Sequence, residues 1–105
     1  MKRARSHTVE LRNQLKNPTA AAHYLKVAYE DPDKRVFLLA LKDVVKARHG
    51  ISAIARQTKL DRRHLYVMLS QKGNPEWFSM SRLLQALGIR ISFEPQNASP
   101  FKRAA

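Results

Sequence analysis

The stretch Ile51-Ser-Ala-Ile-Ala-Arg-Gln-Thr-Lys-Leu-Asp-Arg-Arg-His-Leu-Tyr-Val-Met-Leu69 decides how this sequence is read. It spells two short helices, over roughly 52–58 and 62–71, joined by a few residues. A helix-turn-helix needs a small residue where the second helix crosses the first, and Ala55 occupies that place. Its turn needs an apolar plug and then a cap for the second helix, which Leu60 and Asp61 supply. The second helix needs an inward stripe, and Leu65, Met68 and Leu69 form one. At 100° per residue the opposite face carries Arg63 and Val67, flanked by His64 and Tyr66.

That outward face suits duplex DNA. In this motif the second helix enters the major groove and its N-terminal residues meet base edges. Arg62 and Arg63 lie at that end, and a guanidinium donates bidentately to guanine O6 and N7, worth about 1–3 kcal/mol of discrimination. Val67 is placed for a thymine methyl, and Tyr66 for a phosphate or a base. Ser52, opening the first helix, and Lys72 and Asn74, following the second, are candidate backbone contacts. The competing reading is an amphipathic helix pair whose arginines simply face water. One departure stands out: Lys59 fills a turn position where glycine is common, and the left-handed conformation costs lysine something.

The rest of the chain is consistent with a polyanionic partner. Its 105 residues carry 20 Lys+Arg against 8 Asp+Glu, a formal charge of +12, and 44% are hydrophobic, enough for a core. The excess sits in residues 1–16, 33–49 and 56–72, with five bases in each. The first block reads as a basic arm, either solubilising or functional. There is no Cys, so no disulfide or thiolate zinc site. No apolar run approaches the length of a membrane span, and the basic start leads into no signal-like stretch, so the expected location is the cytoplasm.

Glycine and proline mark the other boundaries. Asn17-Pro18 and Asp31-Pro32 each read as an N-cap followed by proline at the first helical position. Gly50, Gly73 and Gly88 read as C-caps. Helices are expected over 18–29, 32–48 and 79–87 besides the pair already described, five in all, the last capped by Ser79. Ile89, Ile91 and Phe93 alternate with Arg90, Ser92 and Glu94, the period of a half-buried strand. Its pairing partner would be the segment Thr8–Leu11, the same strand of a second copy, or a strand of another protein; the first two are preferred. Trp77, Phe78, Tyr24 and Phe37 are most simply core residues, with an exposed contact the alternative for the adjacent pair Trp77-Phe78.

Catalytic and metal-binding groupings are not found. His7, His23, His49 and His64 lie in different segments with no i+3 or i+4 pairing, and no glycine-rich phosphate loop occurs. Ser70, His64 and Asp61 fall on or beside one short helix and cannot form a triad. No enzyme, cofactor or metal is expected.

Taken together, Asn17-Pro18, Ala22-His-Tyr24-Leu25, Val36-Phe-Leu-Leu-Ala-Leu-Lys-Asp-Val-Val-Lys-Ala-Arg48, Gly50-Ile-Ser-Ala-Ile-Ala55, Lys72-Gly-Asn-Pro75 and Leu83-Leu-Gln-Ala-Leu-Gly-Ile-Arg-Ile91 resemble the addiction-module antidote proteins. These are lambda-repressor-like helix-turn-helix antitoxins of bacteria, and the likeness covers about residues 8–95. The segment Glu76-Trp77-Phe78-Ser79-Met80 departs from the small polar residues expected after Asn-Pro. The resemblance implies a homodimer that neutralises a small RelE/ParE-type toxin and represses its own operon by binding its promoter. The expected architecture is all-α: a basic arm at 1–16, a five-helix domain at 17–95 with a short C-terminal strand, and a tail at 96–105. The alternatives are a stand-alone repressor without a toxin, and a toxin-binding protein with little specific DNA binding.

Overall fold

The computed structural model describes residues 2–70 and 74–97, with side chains from residue 8. Within them the chain is all-helical: α1 (Lys2–Leu15), α2 (Pro18–Tyr29), α3 (Arg35–Arg48), α4 (Ile51–Thr58), α5 (Arg62–Met68) and α6 (Trp77–Ala86). Helices α1, α2 and α3 pack against one another; α4 joins this layer through α3 and also carries α5 and α6. The centre is apolar. Leu41, Val44 and Val45 of α3 are fully buried with Ala21 of α2, Ile54 of α4, Leu65 of α5, and Leu83 and Leu87 of and after α6. Each such Leu, Ile or Val contributes about 1.5–3 kcal/mol by leaving water.

The first helix corrects the sequence reading, which took residues 1–16 as an arm and Thr8–Leu11 as a possible strand. Residues 2–15 are helical, Thr8–Leu11 among them, and Leu15 is buried against the core with Leu11 packed beside it. The spacing of Leu11 and Leu15 is i, i+4, the helical period, but seven polar or charged neighbours from Thr8 to Asn17 dilute it. Arg48, at the end of α3, donates to the Lys16 carbonyl at 3.4 Å, placing a cation at the carbonyl end of α1.

Helix α2 starts as expected. Asn17 is extended (φ −78°, ψ 125°), its Oδ1 accepts from the amides of Thr19 (2.8 Å) and Ala20 (3.1 Å), and Pro18 takes the first position. Its link to α3 is the phenol of Tyr24, which donates to Asp43 Oδ2 at 2.8 Å.

Helix α3 begins at Arg35, three residues later than the Asp31-Pro32 pattern predicts. The Asp31 carboxylate accepts instead from the Asp33 amide at 2.8 Å, closing a turn. Asp33 then accepts from the Arg35 amide (3.0 Å) and from its guanidinium (Nη2, 2.8 Å). These bonds hold the Asp33 carboxyl below its usual range and raise Arg35. Lys34 donates to the Tyr29 and Asp31 carbonyls and lies 4.1 Å from the centre of the Tyr29 ring. With its polar groups so committed, segment 30–34 cannot serve as a first helical turn.

Helix α6 begins at Trp77, and Ser79 lies inside it rather than at its cap. Its C-terminus follows the expected glycine. Gly88 has φ +75°, the Gly88 amide donates to Gln85 O (3.0 Å), and the Ile89 amide donates to Leu84 O (2.9 Å). That pair of bonds is a Schellman closure. Gly73 lies outside the described residues.

Among the described residues there is no strand, so the five-helix count and the C-terminal strand at Ile89–Glu94 are both corrected. The periodicity was real: Ile89 and Ile91 pack partly on the core while Arg90 and Ser92 are exposed. A strand is defined by its neighbour, however, and of the two preferred partners the one within the chain, Thr8–Leu11, is helical.

Candidate functional site

The most differentiated surface of the molecule is built by α4, α5 and the three residues between them. Helix α4 follows Gly50 (φ +83°), whose amide closes back on Val45 O at 2.7 Å, so the chain turns sharply from α3 into α4. Ile51, Ile54 and Ala55 are buried, fixing which side of α4 faces inward. At its end, Thr58 is a buried polar side chain. Its hydroxyl donates to Ile54 O at 2.7 Å and accepts from the Leu60 amide at 3.2 Å. Arg82 of α6 donates to the Thr58 carbonyl at 3.3 Å, tying the same turn to the next helix.

Lys59 then adopts the left-handed conformation (φ 62°, ψ 23°), the one positive φ outside glycine among the described residues. The conformation that glycine would take without cost is therefore imposed on lysine. Leu60 packs against the core, as the plug position requires. Asp61 is the N-cap of α5 by position (φ −64°, ψ 138°), but its side chain makes no capping bond, so the expected carboxylate cap is not formed.

Helix α5 is shorter than the sequence suggests, ending at Met68 instead of 71; Ser70 closes on Val67 O at 2.8 Å. Leu65, Met68 and Leu69 are buried. Arg62, Arg63 and His64 are exposed, as are Tyr66 and Val67, the latter 60% accessible. Ser52 and Asn74 are also exposed. Lys72 falls outside the described residues. One short helix thus brings together five of the eight singled-out residues, with Ser52 and Asn74 on neighbouring elements.

The electrostatics of this face are one-sided. Among the described residues the ion pair formed is Arg35–Asp33, far along the chain, so Arg56, Lys59, Arg62 and Arg63 have no carboxylate partner. The result is an unneutralised cationic ridge with an apolar tip at Val67 and a phenol beside it. Chemically it offers planar donor forks and a methyl-sized contact, suited to a surface with acceptors in fixed array. Among the described residues no group of His, Asp or Glu is arranged to hold a metal, and no helix is long and apolar enough to cross a membrane.

A second surface lies at the start of α6. Trp77 and Phe78, most simply core residues by sequence, take the alternative and are 58% and 78% exposed. Helix α6 buries Met80, Leu83 and Leu84, and its first turn projects past the edge of that core. Trp77 borders a shallow groove of about 320 Å³ with Tyr29, Phe37, Leu38 and Pro75. Phe37 itself meets Tyr29 edge to face, ring centres 5.3 Å apart, and with Tyr24 is only partly buried. The signal available in the sequence was the departure of Glu76-Trp77-Phe78 from the small polar residues expected after Asn-Pro.

The family model described as "Probable addiction module antidote protein" matches residues 5–95. A protein of Haemophilus influenzae strain Rd, described as an uncharacterized protein, is 31% identical over 71 residues, spanning 68% of this chain and 72% of that protein. No solved structure matches the chain.

Proposed function

Since the chain belongs to the addiction-module antidote family, we propose that it is the antitoxin of a bacterial toxin–antitoxin module and that it also regulates that module by binding DNA. In this reading α4 and α5 are a helix-turn-helix, and the protein acts in the cytoplasm as a homodimer that represses its own promoter. The observation that carries it is the two-sidedness of α5. Leu65 and Met68 anchor the helix to the core, while Arg62, Arg63, His64, Tyr66 and Val67 stand in water with no intramolecular partner for the arginines. Arg62 and Arg63 read guanine edges, and Val67 meets a thymine methyl. Ser52, Tyr66, Lys72 and Asn74 contact phosphates and fix the register.

The toxin it neutralises is of the RelE/ParE type, as the resemblance implies. An antitoxin that only occludes its toxin is the second reading, and the exposed Trp77 and Phe78 favour it, because aromatic side chains dominate protein–protein hot spots.

The two readings separate in an equilibrium titration. The full chain is titrated against its own promoter duplex and against a scrambled duplex of equal length, at two salt concentrations. The expected result is a preference of about a thousandfold or more for the promoter. Arg62→Ala and Arg63→Ala should each lose about 1–3 kcal/mol on that duplex and relax preference at one position. Equal binding to both duplexes, weakening together with salt, would leave only the general attraction of a chain of charge +12 for any DNA.

A further inference from the structure

The segment following α6 is self-complementary, and we propose that it forms a two-stranded antiparallel ribbon with the same segment of a second copy, centred on Ser92. Three features converge on it. Burial over 89–92 has a period of two, with Ile89 and Ile91 against the core and Arg90 and Ser92 outside, the pattern of a strand fixed on one side. Among the described residues, no backbone N–H or C=O of 90–94 has a hydrogen-bond partner, whereas the Ile89 amide is already committed to Leu84 O. Phe93, next in the apolar alternation, is 85% exposed.

A neighbouring strand would satisfy all three features, and the sequence specifies which strand. Antiparallel pairing about Ser92 sets residue 90 opposite 94 and residue 91 opposite 93. Arg90 of each copy then faces Glu94 of the other, giving two opposite-charge pairs. Ile91 faces Phe93 twice on the apolar face, which extends the core across the axis. The ribbon is bounded at both ends, by the committed amide of Ile89 and by Pro95, which has no amide to give. Shifting the register by one residue would set apolar side chains against charged ones and turn the ladder's faces over. A strand of some other protein has no reason to match this palindrome of charge, so a second copy is the occupant. The ribbon is an interface of the protein whether or not it binds DNA.

The test uses the full chain. Sedimentation or light scattering should report a species of twice 12.1 kDa. Arg90→Glu and Glu94→Arg each turn two attractive pairs into two repulsive ones and should raise the dimer dissociation constant by about tenfold or more. The double variant Arg90→Glu/Glu94→Arg restores both pairs and should restore the dimer. These positions are exposed, and circular dichroism checks that each variant stays folded. Cysteine is absent from the native chain, so Ser92→Cys provides a second, independent reading. Directly opposed residues in an antiparallel pair have Cα atoms about 4.5–5.5 Å apart, within disulfide reach. Mild oxidation should therefore cross-link Cys-substituted position 92, and not position 90 or 94 with its own copy. A monomer at all concentrations, a dimer indifferent to the charge swaps, or cross-linking equal at 90, 92 and 94 would each overturn the proposal.

Discussion

Replacing Lys59 with glycine should make the protein more stable, even though it removes a side chain and shortens nothing. Lys59 sits at φ 62° and ψ 23°, between Thr58 and Leu60, whose side chains are both held by the core or by backbone bonds. The turn therefore cannot relax to a right-handed conformation without pulling the Thr58 hydroxyl off Ile54 O and Leu60 out of its packing. An L-residue with a Cβ carries roughly 1–2 kcal/mol of strain in this region, which glycine does not. Glycine in turn stabilises the unfolded chain through its greater freedom, by about 0.4–1 kcal/mol. The difference favours Lys59→Gly by about 0.5–1 kcal/mol, or a few degrees in Tm for a domain of this size.

Three variants isolate the cause. Lys59→Ala removes the charge and keeps the Cβ, so it should melt close to the native chain. Lys59→Asn should fall between alanine and glycine, because asparagine visits the left-handed region more readily. Urea unfolding followed by circular dichroism gives the ordering through the midpoints, provided the slopes agree. If glycine is no more stable than alanine, the left-handed turn carries no strain and the argument fails.

Two further perturbations probe the frame that holds the same surface. Thr58→Val keeps the shape of a buried side chain but leaves the Leu60 amide without its acceptor, so it should cost about 1–3 kcal/mol in urea midpoint analysis, with Thr58→Ser closer to native. A cost no larger than that of Thr58→Ser would mean that the hydroxyl does not hold the turn. Tyr24 has its phenol pushed up to about 12, first by burial and then by its hydrogen bond to Asp43 and that group's charge. A raised pKa means stability present in full below the unfolded value of 10.0 and lost as pH climbs through the folded one. The urea midpoint of the native chain should therefore fall more steeply between pH 10 and 12 than that of Tyr24→Phe. Parallel profiles would remove Tyr24 from the account.

What the sequence disclosed depended on how each feature is encoded. Helix α2 was legible to the residue because one side chain, Asn17, caps it and Pro18 takes its first position. The α4–α5 pair was legible because its apolar positions are spaced on two short helices with Leu60 packed against the core between them. The start of α3 was misplaced because Asp31 and Asp33 each close a local turn, an alternative open to any aspartate before a helix. Helix α1 was hidden by charge: over residues 8–15 Leu11 and Leu15 are its inward contacts, too few for a periodicity to stand out. The exposure of Trp77 and Phe78 was hidden for the opposite reason, since large apolar side chains are usually inside and only the three-dimensional edge of the core shows otherwise. Within the candidate site, the outward and inward assignments of α5 follow from period alone, while the unformed Asp61 cap depends on side-chain placement that no periodicity encodes.

The charge of +12 imposes a division of labour on these surfaces if the proposed function holds. A field of one sign accelerates encounter with DNA and strengthens every phosphate contact, but it repels a basic toxin before any contact is made. Neutralising such a toxin therefore falls to groups that gain nothing from charge. The groove edged by Tyr29, Phe37 and Trp77, with Phe78 beside it in sequence, is mainly apolar, its cation Lys34 lying over the Tyr29 ring, whereas the α5 face is cationic. Added salt acts on the two in opposite senses: it replaces the counterions that DNA binding releases, and it screens the repulsion that opposes a basic partner. DNA affinity should thus fall with salt while affinity for a basic toxin holds or rises. A single chain can serve both partners because its cationic ridge and its aromatic groove are carried by different helices, the first by α4 and α5, the second by the end of α2 and the turn after it, α3 and α6.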